Sequence, residues 1–400
     1  MLSLRANVRT VDIVVFTSKL CNLRCRYCYE LPLLSDKTRI TLEQLEIAFR
    51  HFDAFFRKVE QPTTIRFCWH GGEPLLIEPD YYWKAFELQR EVFAGSPHRV
   101  VNNLQTNLTV LDDARFDLMK NGFDAVGVSL DVVGGLRVNA AGKDQEYRTV
   151  ENLERVRERG LTPGGITVLS RANMSRLETV YRFYRDRGMN FRVLPIEPGL
   201  YEPGQFFELG AKEILSALCK LADLWFTEAP PLRIEPIHSS LDVLVSTAGQ
   251  MDVRILPYDL TGWQWVVLFD TNGQILGYTD GFDGANSPGN VFETGFDVIM
   301  RSAAQERRAE QARTQIERSC PGCPYYLSRC NGHHVAEGGA TMHEAQPDGS
   351  RRCVVARGLF EHLEKRLVQA GVLDTPGMLS AAFREANGWP EAGPKAATSS

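Results

Sequence analysis

The 400-residue sequence has no long hydrophobic run of about 18 residues, so we expect no membrane-spanning helix. Its first residues, MLSLRANVRT, lack the apolar core of a secretory signal peptide. The 45 lysines and arginines are outnumbered by 50 aspartates and glutamates, and no strongly basic block stands out. We therefore expect neither nucleic acid nor a lipid surface as a partner, and we predict a cytoplasmic protein.

Cysteine is scarce, with nine in the whole chain, but its distribution is uneven. Three cysteines fall in KLCNLRCRYCYE (residues 19–30) with the spacing C-x3-C-x2-C, and four more follow near the C-terminus with the spacing C-x2-C-x6-C-x22-C. In a cytoplasmic protein, clustered cysteines more often bind metal or carry redox chemistry than form disulfides. The two predicted thiolate sites are Cys21, Cys25 and Cys28, and Cys320, Cys323, Cys330 and Cys353. We expect the remaining two, Cys68 and Cys219, to be core residues.

The first group has three thiols where a closed site needs four ligands. Thiolates suit Fe–S clusters, zinc or Cu(I). In a [4Fe–4S] cube, three local thiolates would hold three irons and leave the fourth open to a reacting molecule. A zinc site completed by a distant residue is the alternative.

Strand-like and helical patterns alternate over the first half of the chain. Strands are predicted at 11–18, 64–69, 98–105, 125–131, 165–170 and 190–197, and helices at 41–59, 80–94, 111–121, 148–159 and 174–187. Thr41 is a possible N-cap of the first helix. Five strand–helix units and a sixth strand predict a parallel α/β barrel or its partial form, with the cysteine loop at a strand end.

A second strand-end loop reads WHGGEPLL (residues 69–76). Its glycines allow close approach of a ligand, Glu73 can accept from an ammonium group, and Pro74 fixes the turn. With the cysteine triplet, this loop resembles the radical S-adenosylmethionine (SAM) superfamily. In that family, three cysteines bind a [4Fe–4S] cluster, and the amino and carboxylate groups of SAM chelate its fourth iron. The resemblance implies a partial (β/α)6 TIM barrel over roughly residues 8–200.

The resemblance also implies roles for individual residues. Gly71, Gly72 and Glu73 match the stretch that holds the SAM amino group, and Tyr27 matches an aromatic position near the adenine. LQTNLT (104–109) and VSLD (128–131) match two further strand ends, where Leu108 and Val132 replace glycines usual in the family. The expected cofactor-binding residues are Tyr27, Gly71, Gly72, Glu73, Pro74, Gln105, Asn107, Ser129 and Arg137, the last for the SAM carboxylate.

The C-terminal part resembles the cysteine-rich SPASM extension of radical SAM enzymes that modify peptides. Residues 265–280 predict a β-hairpin with Asn272-Gly273 at its turn, and a charged helix is expected near 294–317. Because only four cysteines remain there, we predict one auxiliary [4Fe–4S] cluster, with zinc as the alternative. His333 and His334 are expected to be solvated loop residues.

Four segments are expected from this organisation. They are a radical SAM partial barrel (1–200), a helical and irregular bridging region (201–262), a SPASM-like auxiliary cluster domain (263–370), and a partly disordered tail (371–400).

The resemblance implies that reductive cleavage of SAM yields a 5′-deoxyadenosyl radical, with a flavodoxin or ferredoxin as electron donor. The pattern is most similar to maturases that form three-residue cyclophanes, joining an aromatic ring carbon to a β-carbon in a ribosomal precursor peptide. The alternatives are a thioether-forming or epimerising peptide maturase, a sulfatase-maturase-like enzyme, a small-molecule radical SAM dehydrogenase and a non-catalytic zinc protein. No catalytic base is identified.

Peptide recognition has no obvious signal in the sequence. Only 20 residues precede Cys21, which leaves no room for an N-terminal winged-helix recognition domain. The leader of a precursor peptide is therefore expected to dock on the barrel–tail surface, on residues 200–260, or through a separate leader-recognition protein.

Overall fold

The computed structural model describes residues 9–196, 206–249, 255–260, 266–277, 287–336 and 342–389. Three features expected from the sequence extend beyond these ranges: the end of the sixth strand at 197, the end of the hairpin at 278–280, and the final segment from 390. In the described part of the chain, no helix is long and apolar enough to cross a membrane.

The centre of the molecule is a sheet that has ten strands within the described ranges, in the order β10-β9-β8-β1-β2-β3-β4-β5-β6-β7. Strands β1 to β6 are parallel neighbours in chain order, as expected for a partial (β/α)6 barrel. The strands are β1 (Arg9–Ser18), β2 (Thr63–Gly71), β3 (Arg99–Thr106), β4 (Ala125–Ser129), β5 (Gly164–Leu169), β6 (Phe191–Pro195), β7 (Ile234–Glu235), β8 (Val266–Phe269), β9 (Gln274–Leu276) and β10 (Gly289–Asn290).

Helices cover one face of this sheet. Between the barrel strands lie α1 (Leu42–Phe56), α2 (Pro79–Val92), α3 (Asp113–Asp117), α4 (Glu146–Glu158) and α5 (Leu177–Asp186). A π-helical turn at Leu118–Gly122 follows α3, and a 3-10 turn at Met174–Arg176 precedes α5. The later helices are α6 (Ala211–Glu228), α7 (Ile237–Ala248), α8 (Phe296–Ile299), α9 (Ala303–Ser319), α10 (His333–Ala336), α11 (Val355–Gln369) and α12 (Ala381–Ala386).

Helix α1 illustrates how local sequence sets the elements. Thr41 caps it as predicted: the Gln44 N–H donates to Thr41 Oγ1, and the Thr41 N–H donates to Gln44 Oε1. The apolar face of α1 then buries Phe49 and Phe52, whose rings meet Phe67 of β2 edge-on. Capping fixes where the helix begins, and aromatic packing fixes which face meets the sheet.

The C-terminal region joins the barrel through its own strand. The predicted hairpin is formed by β8 and β9, and β8 also pairs in parallel with β1, with Asp12 opposite Val266. Phe52 of α1 contacts both Phe269 of β8 and Phe296 of α8. The sheet is therefore continuous from the barrel into the C-terminal region.

The bridging region, expected to be helical and irregular, contains α6, the short strand β7 and the twelve-residue helix α7. Pro236 stands immediately before α7, where its fixed φ is compatible with a helix start. The burial of Ile237, Leu241 and Leu244 stabilises α7.

Two small antiparallel ladders complete the described structure, one formed by β11 (His343–Ala345) with β12 (Arg351–Cys353), the other by β13 (Leu373–Thr375) with β14 (Met378–Leu379). The β12 ladder places Cys353 opposite His343. Helix α11 packs on α6, which ties the end of the chain to the bridging region.

Candidate active site

The cysteine triplet lies on the loop after β1, at the carboxyl end of the barrel. Two backbone bonds attach the loop to the segment after β4, from Arg24 N to Val138 O (2.6 Å) and from Arg26 N to Leu136 O (3.0 Å). Cys21 N donates to Leu34 O, and Cys28 N donates to Cys25 O. The loop is thus held on both sides with its three thiols on one short turn.

Burial dominates the electrostatics of these thiols. It raises the pKa of Cys21 to about 12 and also raises the pKa values of Cys25 and Cys28. A metal cluster would reverse this, since a coordinated thiol is deprotonated. Cys21 Sγ already has two N–H donors within reach, Leu23 N at 3.4 Å and Asn107 Nδ2 at 3.8 Å. Hydrogen bonds of this kind to cluster sulfurs fit an iron–sulfur ligand.

Two glycines of the second loop lie directly against the cysteine loop. A Cβ on Gly71, whose φ is +108°, would lie 2.3 Å from Ser18 O. A Cβ on Gly72 would lie 2.3 Å from Leu20 O and 2.4 Å from Lys19 O. Neither position can carry a side chain without moving the loop that bears the cysteines. The glycines therefore set the distance between the two loops.

Glu73 is 2% exposed, and both its carboxylate oxygens are engaged within the protein. Oε1 accepts from Leu75 N (3.0 Å) and Thr106 Oγ1 (2.6 Å), and Oε2 accepts from Asn107 N (2.7 Å). Burial raises the pKa of this carboxyl, and the three donors oppose that rise. Glu73 thus joins the strand ends of β2 and β3, while Pro74 begins a short 3-10 turn.

Gln105 and Ser129 meet at the next two strand ends. Gln105 Nε2 donates to Ser129 Oγ at 2.6 Å. A Cβ on Gly127 would lie 2.2 Å from Gln105 Oε1, so this glycine makes room for the glutamine side chain. Two of the expected SAM-binding side chains are therefore in direct contact.

Tyr27 and Arg137 are brought together by a residue that was not singled out from the sequence. Asp131 is fully buried, accepts a short bond from the Tyr27 hydroxyl, and pairs with Arg137 Nε at 3.0 Å. Its other oxygen accepts from Val168 N. Glu146 was also missed, and its carboxylate accepts from the backbone N–H groups of Val132 and Gly134. The signal for Asp131 was its place in VSLD, at a strand end.

Leu108 and Val132, which replace glycines usual in the family, both adopt left-handed backbone, with φ of +54° and +69°. This conformation costs a non-glycine residue about 1–2 kcal/mol. The turn geometry that suits glycine is therefore kept although glycine is absent. Hydrogen bonds from neighbouring groups hold it, including Leu108 N to Thr106 Oγ1 and Val132 N to Glu146.

A second group of buried charges lies beside the cysteine loop and was missed by sequence reasoning. Lys19 Nζ forms a buried ion pair with Asp270 Oδ2 at 2.9 Å, which links the loop to the end of β8. Burial raises the pKa of nearby Glu30 to about 7, with Lys19 lowering it and Asp270 raising it. No local motif marks these residues, because the pair spans 251 positions of sequence.

The C-terminal cysteines converge as predicted from their spacing. Cys320, Cys323, Cys330 and Cys353 all line one cavity of about 100 Å³. Its wall also contains His334, Arg352 and Arg357. The two histidines, expected to be solvated loop residues, lie on α10 instead of a loop; His333 is exposed as expected, whereas burial lowers the pKa of His334 to about 4.

Across the described ranges, no three His, Cys, Asp or Glu side chains are placed to hold one metal ion. Four sulfurs around zinc must all lie about 2.3 Å from it. A cube of four irons instead receives each thiolate at a different corner, so the thiols stay farther apart.

Comparison with known proteins identifies the barrel. The sequence model of the Radical SAM superfamily matches residues 15–184. This stretch contains the cysteine triplet, both glycines of the second loop and the strand ends that carry Gln105, Ser129 and Arg137.

Curated relatives include sulfatase-maturating enzymes. The serine-type anaerobic sulfatase-maturating enzyme of Bacteroides thetaiotaomicron is 22% identical over 368 residues, which is 86% of each chain. The serine-type enzyme of Klebsiella aerogenes is 36% identical over 114 residues, covering 28% of this chain and 27% of its own.

Solved structures share the fold beyond the barrel. Native anSMEcpe with bound AdoMet and Kp18Cys peptide superposes with a TM-score of 0.69 at 18% identity, over 90% of this chain and 99% of its own. Streptococcus suis SuiB bound to precursor peptide SuiA gives a TM-score of 0.55 at 15% identity, over 83% and 72%. The family match assigns residues 15–184, the barrel, to the Radical SAM superfamily, and the solved structures show a similar fold over 83–90% of this chain.

Proposed function

We propose that this enzyme modifies a ribosomally made precursor peptide, forming a C–C crosslink between an aromatic ring carbon and a β-carbon. The observation that carries the proposal is the single cavity lined by all four C-terminal cysteines. With three cysteines on the β1 loop and two elsewhere, these four leave no others among the nine for a third thiolate site. A reduced cysteine set of this kind is what the resemblance to cyclophane-forming maturases rests on.

Cys21, Cys25 and Cys28 would hold a [4Fe–4S] cluster, and the loops around Gly71 to Glu73, Gln105, Ser129 and Arg137 would hold SAM. When bound, the cluster and SAM supply a 5′-deoxyadenosyl radical that can take hydrogen from an unactivated C–H bond. The division into segments 1–200, 201–262, 263–370 and 371–400 remains part of this proposal.

The chain's own contribution is positioning. Glu73 fixes the ends of β2 and β3 through three hydrogen bonds, and Gly72 sets the gap to the cysteine loop. Asp131 orients Arg137, whose guanidinium also lies 5.8 Å from the centre of the Tyr27 ring. A carboxylate of the cofactor and Asp131 would then share one arginine. These residues pre-organise the site before any substrate arrives.

The C-terminal cavity would hold one auxiliary [4Fe–4S] cluster with a thiolate on every iron. Such a cluster has no open iron for substrate, so its role is to relay an electron or to stabilise the fold. A C–C crosslink requires the loss of one electron and one proton after hydrogen abstraction, and a relay would accept that electron. Four thiolates suit either such a cluster or a single zinc ion, and the proposal commits to the cluster.

The relatives support a peptide or protein as substrate. SuiB binds the precursor peptide SuiA, and anSMEcpe binds a peptide together with AdoMet. The two proteins are 15–18% identical to this chain. That similarity supports a shared fold, but it does not indicate which bond the enzyme forms in its substrate. A leader would dock on the barrel–tail surface, near residues 200–260 or through a separate protein.

A sulfatase-maturase-like activity is the second candidate, because the Bacteroides serine-type enzyme aligns over 86% of this chain. In that case the substrate would be a serine or cysteine of a sulfatase rather than two residues of a small peptide. The cysteine count favours the first candidate, and the alignment length favours the second.

The deciding experiment combines anaerobically reconstituted enzyme, SAM and reductant with a short synthetic peptide that carries an aromatic–x–x pattern, or with a sulfatase-derived peptide. The proposal expects a loss of two hydrogens from the first peptide. It also expects few fragment ions between the two joined residues in tandem mass spectrometry.

Other outcomes identify other reactions. Modification of a single serine or cysteine in the sulfatase peptide alone would replace the proposal with the second candidate. Unchanged mass with uptake of solvent deuterium would indicate epimerisation. A crosslink through a peptide sulfur would indicate thioether formation.

A further inference from the structure

The cysteine loop carries several exposed side chains. Tyr29 is 39% exposed and Leu33 is 43% exposed, both unusual for large apolar residues. Basic side chains are exposed on the same loop and on the segment bonded to it. We call this surface the cysteine-loop face and define it by Arg26, Tyr29, Leu33, Lys37, Arg39 and Lys143, all of which are exposed.

These residues belong to one connected piece of structure. Residues 19–39 bond back to β1 through Ser18 Oγ and Thr38 O (2.9 Å) and through an isolated bridge between Ser18 and Arg39. The segment that carries Lys143 is attached to the same loop by the bridge between Leu23 and Asn139. The cysteine-loop face is therefore a surface of the cluster loop itself.

The charge of this face is opposite to that of the whole chain. The protein has a net charge of −5, yet four exposed cations lie here beside one exposed carboxylate, Asp36. Among the described residues, no carboxylate forms an ion pair with Lys37 or Lys143. Elsewhere exposed cations are commonly paired, as Arg50 is with Glu46 and Arg182 with Glu178. Unpaired charge of one sign is available to a partner of the other sign.

The position of the face indicates what that partner supplies. The inner side of the loop is occupied, since Gly72, Glu73 and Asn107 all contact it. Electron transfer weakens steeply with distance, and Cys21, Cys25 and Cys28 are partly exposed residues of this same loop, so a carrier bound to the loop would lie beside the predicted cluster ligands. A few apolar side chains within a charged rim suit a transient complex, and electron-transfer complexes bury under about 1,200 Å² in total.

We propose that the cysteine-loop face is the docking surface for an acidic, one-electron-carrying protein such as a reduced flavodoxin. The inference rests on the proposed function, which requires an external electron. It adds where that electron enters and which charge its carrier bears. Tyr29 and Leu33 form the centre of contact, and Lys37 and Lys143 steer the approach.

The test measures reduction of the reconstituted cluster by stopped-flow absorbance, before any SAM or peptide is added. Wild-type enzyme and the pair Lys37→Glu/Lys143→Glu are each reduced by flavodoxin hydroquinone and by photoreduced 5-deazaflavin, a small neutral donor. The matched control is Lys220→Glu/Arg307→Glu, whose cations are exposed on α6 and α9 and form no ion pair with described residues. Because no peptide is present, the result is independent of which bond the enzyme forms.

We expect the Lys37/Lys143 pair to slow reduction by flavodoxin about tenfold or more at low ionic strength, with the difference shrinking as salt is added. Reduction by deazaflavin should be unchanged, and the control pair should behave as wild type. Wild-type rates with flavodoxin would overturn the proposal, as would equal slowing in the control pair. An equally fast reduction by a basic carrier of the same potential would overturn it too.

A second variant guards against a distorted loop. Lys37→Gln/Lys143→Gln removes both charges without adding repulsion, and we expect an intermediate loss with flavodoxin only. If the glutamine pair slows both donors equally, the lysines support the loop rather than a partner and the proposal is wrong.

Discussion

Individual residues in this site adopt backbone that their side chains disfavour. Val132 has a φ of +69°, at a position where the resemblance of VSLD to the family's strand-end motif predicts glycine. A β-branched residue is among the least suited to this conformation. The cost is tolerated because the Val132 N–H is held by the buried carboxylate of Glu146.

This strain gives a prediction with a clear sign. Val132→Gly removes the conformational cost, whereas Val132→Ala keeps it and loses the same packing. We expect the free energy of unfolding of the glycine variant to be about 1 kcal/mol larger than that of the alanine variant. Chemical denaturation of the two proteins under identical conditions measures the difference, and an alanine variant that is the more stable would show that Val132 is not strained.

His70 is a second residue whose environment has a measurable effect. It precedes the paired glycines, its ring packs edge-on against Phe16, and its Nδ1 accepts from the Gly71 N–H at 2.7 Å. Burial lowers its pKa from 6.5 to about 4. The neutral ring therefore carries its proton on Nε2.

The pH dependence follows from that depressed pKa. Below pH 6.5 the unfolded chain binds a proton that the folded chain does not, so stability is present above pH 6.5 and is lost as pH falls towards 4. Between pH 7.5 and 5 this amounts to about 2 kcal/mol. His70→Gln should lack this part of the loss in urea unfolding at the two pH values. An identical pH dependence in both proteins would contradict the assignment.

At the scale of elements, the alternation of strands and helices was readable from the sequence. Apolar runs such as VDIVVF, in which Val11, Ile13 and Val15 are buried, marked the barrel strands with errors of one or two residues. The pairing of β8 with β1 was not readable, because β8 carries no mark of its partner 250 residues away. Helix α7 was missed since its serines, threonine and valines have modest helix propensity and its stability comes from burial.

The candidate site could also be predicted from the sequence only in part. Spacing alone gathered Cys320, Cys323, Cys330 and Cys353, because three are close in sequence. Asp131 and Asp270 act through partners that only the fold brings near, so local patterns could not rank them above other acids. The cysteine loop was found through its three thiols and the second strand-end loop through Gly71 and Gly72, whose lack of a side chain lets the two loops touch.

The contact between those loops yields a prediction about one atom. In Gly72→Ala, the new Cβ would lie within 2.4 Å of two carbonyl oxygens of the cysteine loop, so the loop must move. We expect a loss of about 1–3 kcal/mol in stability and reduced iron retention on reconstitution. Gly164→Ala on β5 is the matched control, since its nearest neighbour is Asn190 O at 3.7 Å. Equal iron content in the two variants would show that the loop contact is not needed for the cluster.

At the scale of the whole molecule, the C-terminal region is built into the barrel rather than attached to it. It supplies β8 to the central sheet, Asp270 to Lys19 of the cysteine loop, and Phe296 to the aromatic packing of α1. Its cysteine cavity is nevertheless formed by other elements, chiefly α9, α10 and β12. Substitutions that remove the cysteines of one thiolate site should therefore leave the other site able to bind its cluster.

We expect wild-type enzyme to contain about eight irons when fully reconstituted, four for each [4Fe–4S] cluster. Cys320→Ala/Cys323→Ala should lower this to about four, abolish the modified peptide, and still release 5′-deoxyadenosine from SAM. Cys219→Ala, which removes a lone half-buried thiol on α6, should retain all the iron. Full product formation by the Cys320/Cys323 variant would refute the relay role of the second cluster.

The place of β1 in the middle of the sheet has a consequence for biosynthesis. Its neighbours are β2, made soon afterwards, and β8, made about 250 residues later. At translation speeds of roughly 5–20 residues per second, one edge of β1 stays unpaired for on the order of tens of seconds during synthesis. The unpaired backbone groups of an exposed strand edge can pair with other chains and cause aggregation. A co-expressed chaperone or slower expression should therefore raise the yield of active enzyme.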